Sequence, residues 1–550
     1  MAAPSSDEAS QTHADQKDML DKVNTFNGST NHLEDLNEGA YDDSIEDTAP
    51  SRAVWLITFT VAMGGFLFGY DTGYISAVLV TIGADLGHKL SSKEQELITS
   101  LTSGGALIGA LIAGLPADKY GRKLGIYIGC ALFLAGSIIQ AAAFNVAQMA
   151  VGRFIVGLGV GSAAMIVPLY IGEIAPAKYR GRMIAFDNMS VTLGQLVSYG
   201  LGAAFTDVSH GWRYMVAVGG VPPIVLAALL PFCPESPRQL IAHGHMDEAN
   251  RVIAKVYPYA TDEQVKAKTN HILCTIRAEN MAEKSLWWQF KQLHCVPSNL
   301  RALTACCGAM ASEWDLLRRF PGMADKWTVS QLGGFNTLMY YSGTLFALVG
   351  FDKPTLVSLV VGATNFVFTL FNMFIIDKVG RRRILNCTVI GMSLSMALTA
   401  VAFHFIPVSK DLVLEAKSVN WAGTLVLAMI IVYIGFYASG VATIGWVGTE
   451  LLPTEVRALG TTMNTITCWG CNLIIASTFL SMMKGLTPTG AFGFYAGICF
   501  LGWVFLLCCY PEVKGLALED VRQVFAGGFG VRKAAGMQKA LKAARKQAIV

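Results

Sequence analysis

The run Asp118-Lys119-Tyr120-Gly121-Arg122-Lys123 returns 259 residues later as Asp377-Lys378-Val379-Gly380-Arg381-Arg382. Two more echoes run beside it. Glu173-Ile174-Ala175-Pro176 with Arg180-Gly181 is matched by Glu450-Leu451-Leu452-Pro453 with Arg457, and Pro234-Glu235 by Pro511-Glu512, both at an offset of 277 residues. Each landmark follows an apolar stretch of about 20 residues, the length that crosses a bilayer. Three matched landmarks at near-constant spacing predict two homologous halves in parallel orientation, the plan of a carrier that rocks around a site at the midplane.

Working outward, apolar stretches lie near 54–80, 97–116, 124–144, 147–170, 184–205 and 213–232, then, after a polar stretch, near 302–350, 355–376, 384–406, 421–447, 459–482 and 489–510. The expectation is an all-α membrane protein of twelve spans. Its organisation would be an acidic disordered tail at 1–52, six spans over 53–233, a cytoplasmic central loop at 234–300, six more over 301–511, and a basic tail at 512–550. Composition agrees. The 550 residues are 53% hydrophobic and only 15% charged, where a soluble domain is about 25% charged. Glycine, at 55 residues, suits helices that pack closely in lipid.

The net charge of +3 conceals an asymmetry: residues 1–50 hold twelve acids against two lysines. The basic residues elsewhere cluster between spans, at Lys119, Arg122 and Lys123, at Lys178, Arg180 and Arg182, and at Lys378 and Arg381 to Arg383. This is the positive-inside pattern, and not a nucleic-acid footprint; it predicts both termini and the central loop in the cytoplasm. The polar first 50 residues do not read as a signal peptide, and Asn27-Gly28-Ser29 would face the cytosol unglycosylated. The twelve cysteines fall mostly in apolar runs, so no disulfide framework is expected. Cys468 and Cys471 have redox spacing inside an apolar helix, which does not suit redox chemistry.

Several segments carry a resemblance. They are Phe68-Gly69-Tyr70-Asp71-Thr72-Gly73, Gly114 to Lys123, Pro168 to Gly181, Pro234 to Arg238, Gln331-Leu332-Gly333-Gly334-Phe335-Asn336, and Pro511 to Leu516. Over about residues 53–525 the chain resembles the sugar porters of the major facilitator superfamily. Within them it is similar to the fungal myo-inositol/proton symporters, on Asp71 to Ser76, Val296 to Leu303 and Ile474 to Leu480. The resemblance implies two six-helix bundles, uptake of a polyol with protons by alternating access, a plasma-membrane location and a monomer. A proton/hexose symporter and a non-transporting nutrient sensor on the same fold are the alternatives. No cofactor, metal, nucleotide or covalent intermediate is required, and no enzyme motif is present.

Asp71 is an acid inside an apolar span, where a charge costs about 2.5–3.5 kcal/mol on insertion scales. The resemblance pairs it with Arg153 as the proton-coupling couple; a static ion pair is the plainer reading. A polyol presents hydroxyls that both donate and accept, and amides answer with both. Gln195, Gln331, Asn336 and Asn365 match the family's substrate-contacting amides, Trp446 and Tyr437 its aromatic lining, and Tyr340 and Tyr341 its gate. Each could instead be an ordinary interhelical contact. Trp469 is expected to pack. Asp118 with Arg122, Glu173 with Arg180, Asp377 with Arg381, and Glu450 with Arg457 are expected to form cytoplasmic latches that hold the outward-open state. Ser330, Ala438, Gly445 and Cys468 depart from the family pattern, so hexose selectivity is not carried over.

The largest departure is Ser312 to Thr328. It puts six charges and a proline into an otherwise apolar seventh span. Without these 17 residues about 31 remain, a fair length for a tilted helix. Ser312-Glu313-Trp314 can be encoded AGT-GAG-TGG, which contains a donor-like GTGAGT. The stretch therefore reads as a translated short intron or a gene-model error.

Overall fold

A computed structural model describes residues 44–48, 51–176, 179–281, 286–310, 332–409, 412, 421–442, 451–452, 456–512 and 523–547. Two compact units are present.

The smaller unit holds residues up to Val54 and Ser236–Glu283. Its helices are α1 (Ser44–Asp47), α9 (Pro237–Ala242), α10 (Met246–Val256) and α11 (Asp262–Met281). Leu240, Ile241, Ala249, Val252 and Ile276 form a small core. Glu46 accepts hydrogen bonds from the Tyr257 hydroxyl at 2.8 Å and the Lys268 ammonium at 2.7 Å. Within the tail expected to be disordered through residue 52, Ser44–Asp47 is thus an anchored helical turn, and most of the expected central loop is helical.

The larger unit carries the spans. Its first half contains α2 (Arg52–Thr81), α3 (Ser92–Tyr120), α4 (Arg122–Ala141), α5 (Val146–Ile174), α6 (Arg180–Phe205), and α7 (Gly211–Val218) running through α8 (Val221–Leu229) and a short 3-10 turn to Phe232. After α12 (Leu286–Cys295), the second half contains α13 (Pro297–Met310), α14 (Phe335–Val349), α15 (Pro354–Val379), α16 (Arg381–His404), α17 (Trp421–Phe436) and α18 (Arg457–Cys509). The chain then reaches α19 (Val531–Gln547).

Nine helices among the described residues are long and apolar enough to cross a membrane. The number is consistent with twelve. α18 contains two spans, broken at Thr487 (φ 65°) just before Pro488. Asp187, Asn188, Gln195 and their polar neighbours dilute α6. α13 and α14 flank residues 311–331, so Ser312–Thr328 lies outside the described residues.

Helix contacts are close because glycine lines them. A Cβ on Gly69 would lie 1.8 Å from the Val191 carbonyl oxygen, so α2 and α6 meet backbone to backbone, as small residues permit in lipid. Exposed Leu56, Phe59, Phe232 and Phe374 cover the outside, the reverse of a soluble protein and the expectation for a surface facing acyl chains. Span ten contains a π-helical turn, Tyr437–Val441. Such turns mark functional sites in helices.

The halves are joined near the α2–α3 loop end. Ser76 and Ser342 hydroxyls lie 2.8 Å apart, and the Gly343 amide donates to Ser76. Tyr199 donates to the Met339 carbonyl, Thr206 to Thr355, and Ser481 to Glu96 through both its amide and its hydroxyl.

Candidate functional site

Asp71 is 2% exposed and Arg153 fully buried. α2 and α5 bring them together: Arg153 Nη1 donates to Asp71 Oδ1 at 2.6 Å. The sequence placed this pair correctly but missed its surroundings. Tyr74, one helical turn from Asp71, donates to the same Oδ1 at 2.8 Å and accepts from Arg153 Nη1 at 2.9 Å. Gln140 Oε1 lies 3.0 Å from that hydroxyl, and Arg153 Nε donates to the Ile98 carbonyl. The i, i+3 spacing of Asp71 and Tyr74 was the signal available in the sequence. Two charges so deeply buried persist only because each is paired and hydrogen-bonded. Arg153 is also tied to backbone, so the carboxylate is the member that can be neutralised without dismantling the cluster.

Two of the expected binding amides are bonded to each other. Asn365 Nδ2 on α15 donates to Gln195 Oε1 on α6 at 2.6 Å, directly between halves. Asn336 opens α14 and is partly buried. Phe335 beside it stacks on Tyr437 at 3.5 Å between centroids. Tyr340 and Tyr341 are buried. Asn472 donates to the Tyr340 hydroxyl, while Tyr341 donates to the Ala476 carbonyl. Trp469 packs edge-on against Phe68, as expected, yet its indole Nε1 is buried without a protein partner. Asn365 Oδ1, Asn472 Oδ1 and Arg153 Nη2 share that condition. Buried donors and acceptors left unmatched are costly; together they suit a hydroxyl-rich ligand. Gln331, Trp446 and Glu450 lie outside the described residues, as do the side chains of Asp377 and Arg457.

The charged ends differ from expectation in one respect. Glu173 is bonded by Arg122, through Nη2 at 2.9 Å and Nε at 3.2 Å, and not by Arg180, which is exposed. Arg122 also binds Asp118. The reason is helix geometry: Arg122 opens α4 beside the end of α5, while Arg180 starts the next helix facing outward. These bonds lie inside the first half, so rocking of the halves need not break them. Glu235 completes the group by accepting from the Arg122 and Lys123 amides at the α4 N-terminus, where a carboxylate is favoured. The second half repeats the device: Glu512 accepts from the Arg382 amide. Gly121 (φ 105°) and Gly380 (φ 100°) make room, since a Cβ would lie 2.6 and 2.7 Å from these carboxylates. Gly121→Ala is expected to destabilise the fold by about 1–3 kcal/mol from left-handed strain and lost capping, read as a lower melting temperature in detergent. An unchanged melt would show that the cap adds nothing.

Comparison with known proteins decides the family. The sugar (and other) transporter family matches residues 57–525. The chain belongs to that family. It is therefore a multi-pass membrane transporter and not an enzyme. It is 43% identical over 523 residues to myo-inositol transporter 1 of Cryptococcus neoformans, covering 94% of this chain and 89% of that one. It is 41% identical over 501 residues to myo-inositol transporter 1 of Saccharomyces cerevisiae, covering 90% and 82%. Among solved structures, the partially occluded inward-open xylose transporter XylE from E. coli superposes with a TM-score of 0.68 at 22% identity, over 84% of this chain and 99% of that one. This likeness supports the twelve-span, two-bundle fold of this sugar transporter.

Proposed function

We propose that this transporter carries myo-inositol or a related polyol inward with protons, by alternating access of residues 53–233 and 301–511 around the site described. The observation that carries the reading is the buried Asp71–Arg153–Tyr74 cluster, set beside relatives named as myo-inositol transporters. Ionised, Asp71 binds Arg153. Protonated, it loses most of that attraction, and the α2–α5 contact loosens. Opening toward the α2–α3 loop end then requires release of Ser76 from Ser342, Tyr199 from Met339 and Glu96 from Ser481. The positive-inside pattern of the basic loops supports an orientation with that end outside and both termini in the cytoplasm. The Asp118, Arg122, Glu173 group stiffens the first half, with Asp377, Arg381, Glu450 and Arg457 as its counterpart; Arg180 supplies topology charge. A plasma-membrane monomer is the working unit.

Substrate is taken by Gln195, Gln331, Asn336 and Asn365, with Tyr437 and Trp446 against its C–H face and Tyr340 and Tyr341 behind it. A hydroxyl left unanswered costs about 1–3 kcal/mol. Gln195→Ala or Asn365→Ala is therefore expected to raise the KM for inositol by roughly 5- to 150-fold, with surface expression unchanged. If the Gln195–Asn365 bond is only an interhelical tie, KM stays and stability falls. The test of the whole reading is radiolabelled inositol uptake in cells lacking their own carrier, with and without a protonophore. Uptake of hexose but not inositol would move the hexose reading ahead.

A further inference from the structure

α6 carries an acid that the coupling cluster does not use. Asp187 faces the seam with α2. A Cβ on Gly65 would lie 2.5 Å from its Oδ1, so the carboxyl occupies the space that this glycine leaves open. The seam continues upward: Gly69 lies against Val191, and Gly73 against Gln195 and Ser198. Asp187 thus shares one helix contact with both Asp71 and the binding amide Gln195. Its Oδ1 is buried and has no hydrogen-bond partner, while the residue as a whole is only partly buried.

The contrast with Asp71 is chemical. Asp71 has a guanidinium and a phenol; Asp187 has Gly65 beside it and no bonded cation among the described residues. The charged and titratable groups on the described parts of the elements packed here are Arg52, Tyr70, Asp71 and Tyr74 on α2, Arg153, Tyr170 and Glu173 on α5, and Arg180, Arg182 and Tyr199 on α6; Arg153 is taken by Asp71. Tyr170 donates to the Pro234 carbonyl and Glu173 is taken by Arg122, and Arg180 is exposed. An ionised carboxylate without a cation is disfavoured in a span, whereas a protonated one is tolerated, and intramembrane acids mark proton relays.

We propose that Asp187 is a second proton-carrying carboxyl, protonated when the α2–α6 seam is closed as seen here and releasing its proton toward the cytoplasmic end of α6. The inference rests on the proton-coupled reading, and its test separates the two. The protein would be purified as the full chain, and as the chain lacking Ser312–Thr328, each with and without Asp187→Asn. Infrared difference spectra across a pH titration would be compared with the proton-to-inositol ratio in vesicles. The expected result is loss of one protonated-carboxyl carbonyl band in Asp187→Asn, with inositol transport retained and the ratio lowered by one proton. An unchanged band pattern, or the band lost with no change in the ratio, overturns the proposal. If the parent moves inositol without protons, the coupling reading and this proposal both fail, whereas a coupled parent whose ratio is unchanged by Asp187→Asn overturns this proposal alone. The infrared arm needs no transport, so a variant that folds but does not turn over still shows whether the band belongs to Asp187.

Discussion

A chain lacking Ser312–Thr328 is expected to concentrate myo-inositol in cells, while the chain as written stays near background. The stretch carries Glu313, Asp315, Arg318, Arg319, Asp325 and Lys326. Each would cost about 2.5–3.5 kcal/mol at the bilayer centre. It also separates α13, which ends at Met310, from α14, which starts at Phe335 and carries Asn336, Tyr340 and Tyr341. With 17 residues removed, seven remain between those helices, about two turns at 3.6 residues per turn, and span seven can run through to its binding residues.

The genetic code adds a second argument. Excision of 51 nucleotides, from the second base of codon 312 to the first base of codon 329, begins GTGAGT if Ser312-Glu313-Trp314 is AGT-GAG-TGG. It ends CAG if Thr328 is ACA, because every Val329 codon starts with G. The bases left behind then join as ATN, an Ile or Met codon, between Ala311 and Ser330. Both ends of a spliced intron are thus compatible with the protein sequence, and the junction residue is apolar. Sequencing the spliced message and comparing uptake by the two chains checks this. A message that keeps all 51 nucleotides, or equal uptake by both chains at equal surface expression, overturns it.

Much of the fold was legible in the sequence because span length and repeat spacing are set by the bilayer and by duplication. The Asp71–Arg153 pair was legible too, since an acid and a base in apolar helices need each other. Partners that lie across helices were harder. Glu235 and Glu512 were visible only as repeated landmarks; their role as caps requires knowing that Gly121 and Gly380 open a space beside them. The Glu173 pairing was misassigned because sequence proximity favoured Arg180, while the fold puts Arg122 beside it. Asp187 was passed over inside a span whose polar residues looked like one group, and only its place against Gly65 separates it from the binding amides. Trp469 was read as packing, which holds for its ring and leaves its N–H unexplained.

Asp71→Asn is expected to abolish uphill accumulation while leaving exchange of inositol across the membrane. At about 59 mV per tenfold ratio, a proton-motive force of roughly 120 mV holds a roughly hundredfold gradient for each proton carried. With the Asp71–Arg153 pair gone, a proton on Asp187 alone no longer drives rocking, and the carrier reaches only an inside-to-outside ratio of about one. Asparagine keeps the oxygen that accepts from Tyr74 and Arg153, so the cluster keeps its shape and loses its proton. It also leaves Arg153 without a counter-charge at 0% exposure, and breaking a buried pair from one side costs about 3–5 kcal/mol. Loss of accumulation could therefore come from instability. The double variant Asp71→Asn with Arg153→Leu separates the causes by removing the stranded charge as well. If the double variant melts near the parent temperature yet still fails to accumulate, the proton and not the fold was lost. Protonophore-sensitive accumulation by Asp71→Asn would show that the proton on Asp187 couples without the Asp71–Arg153 pair.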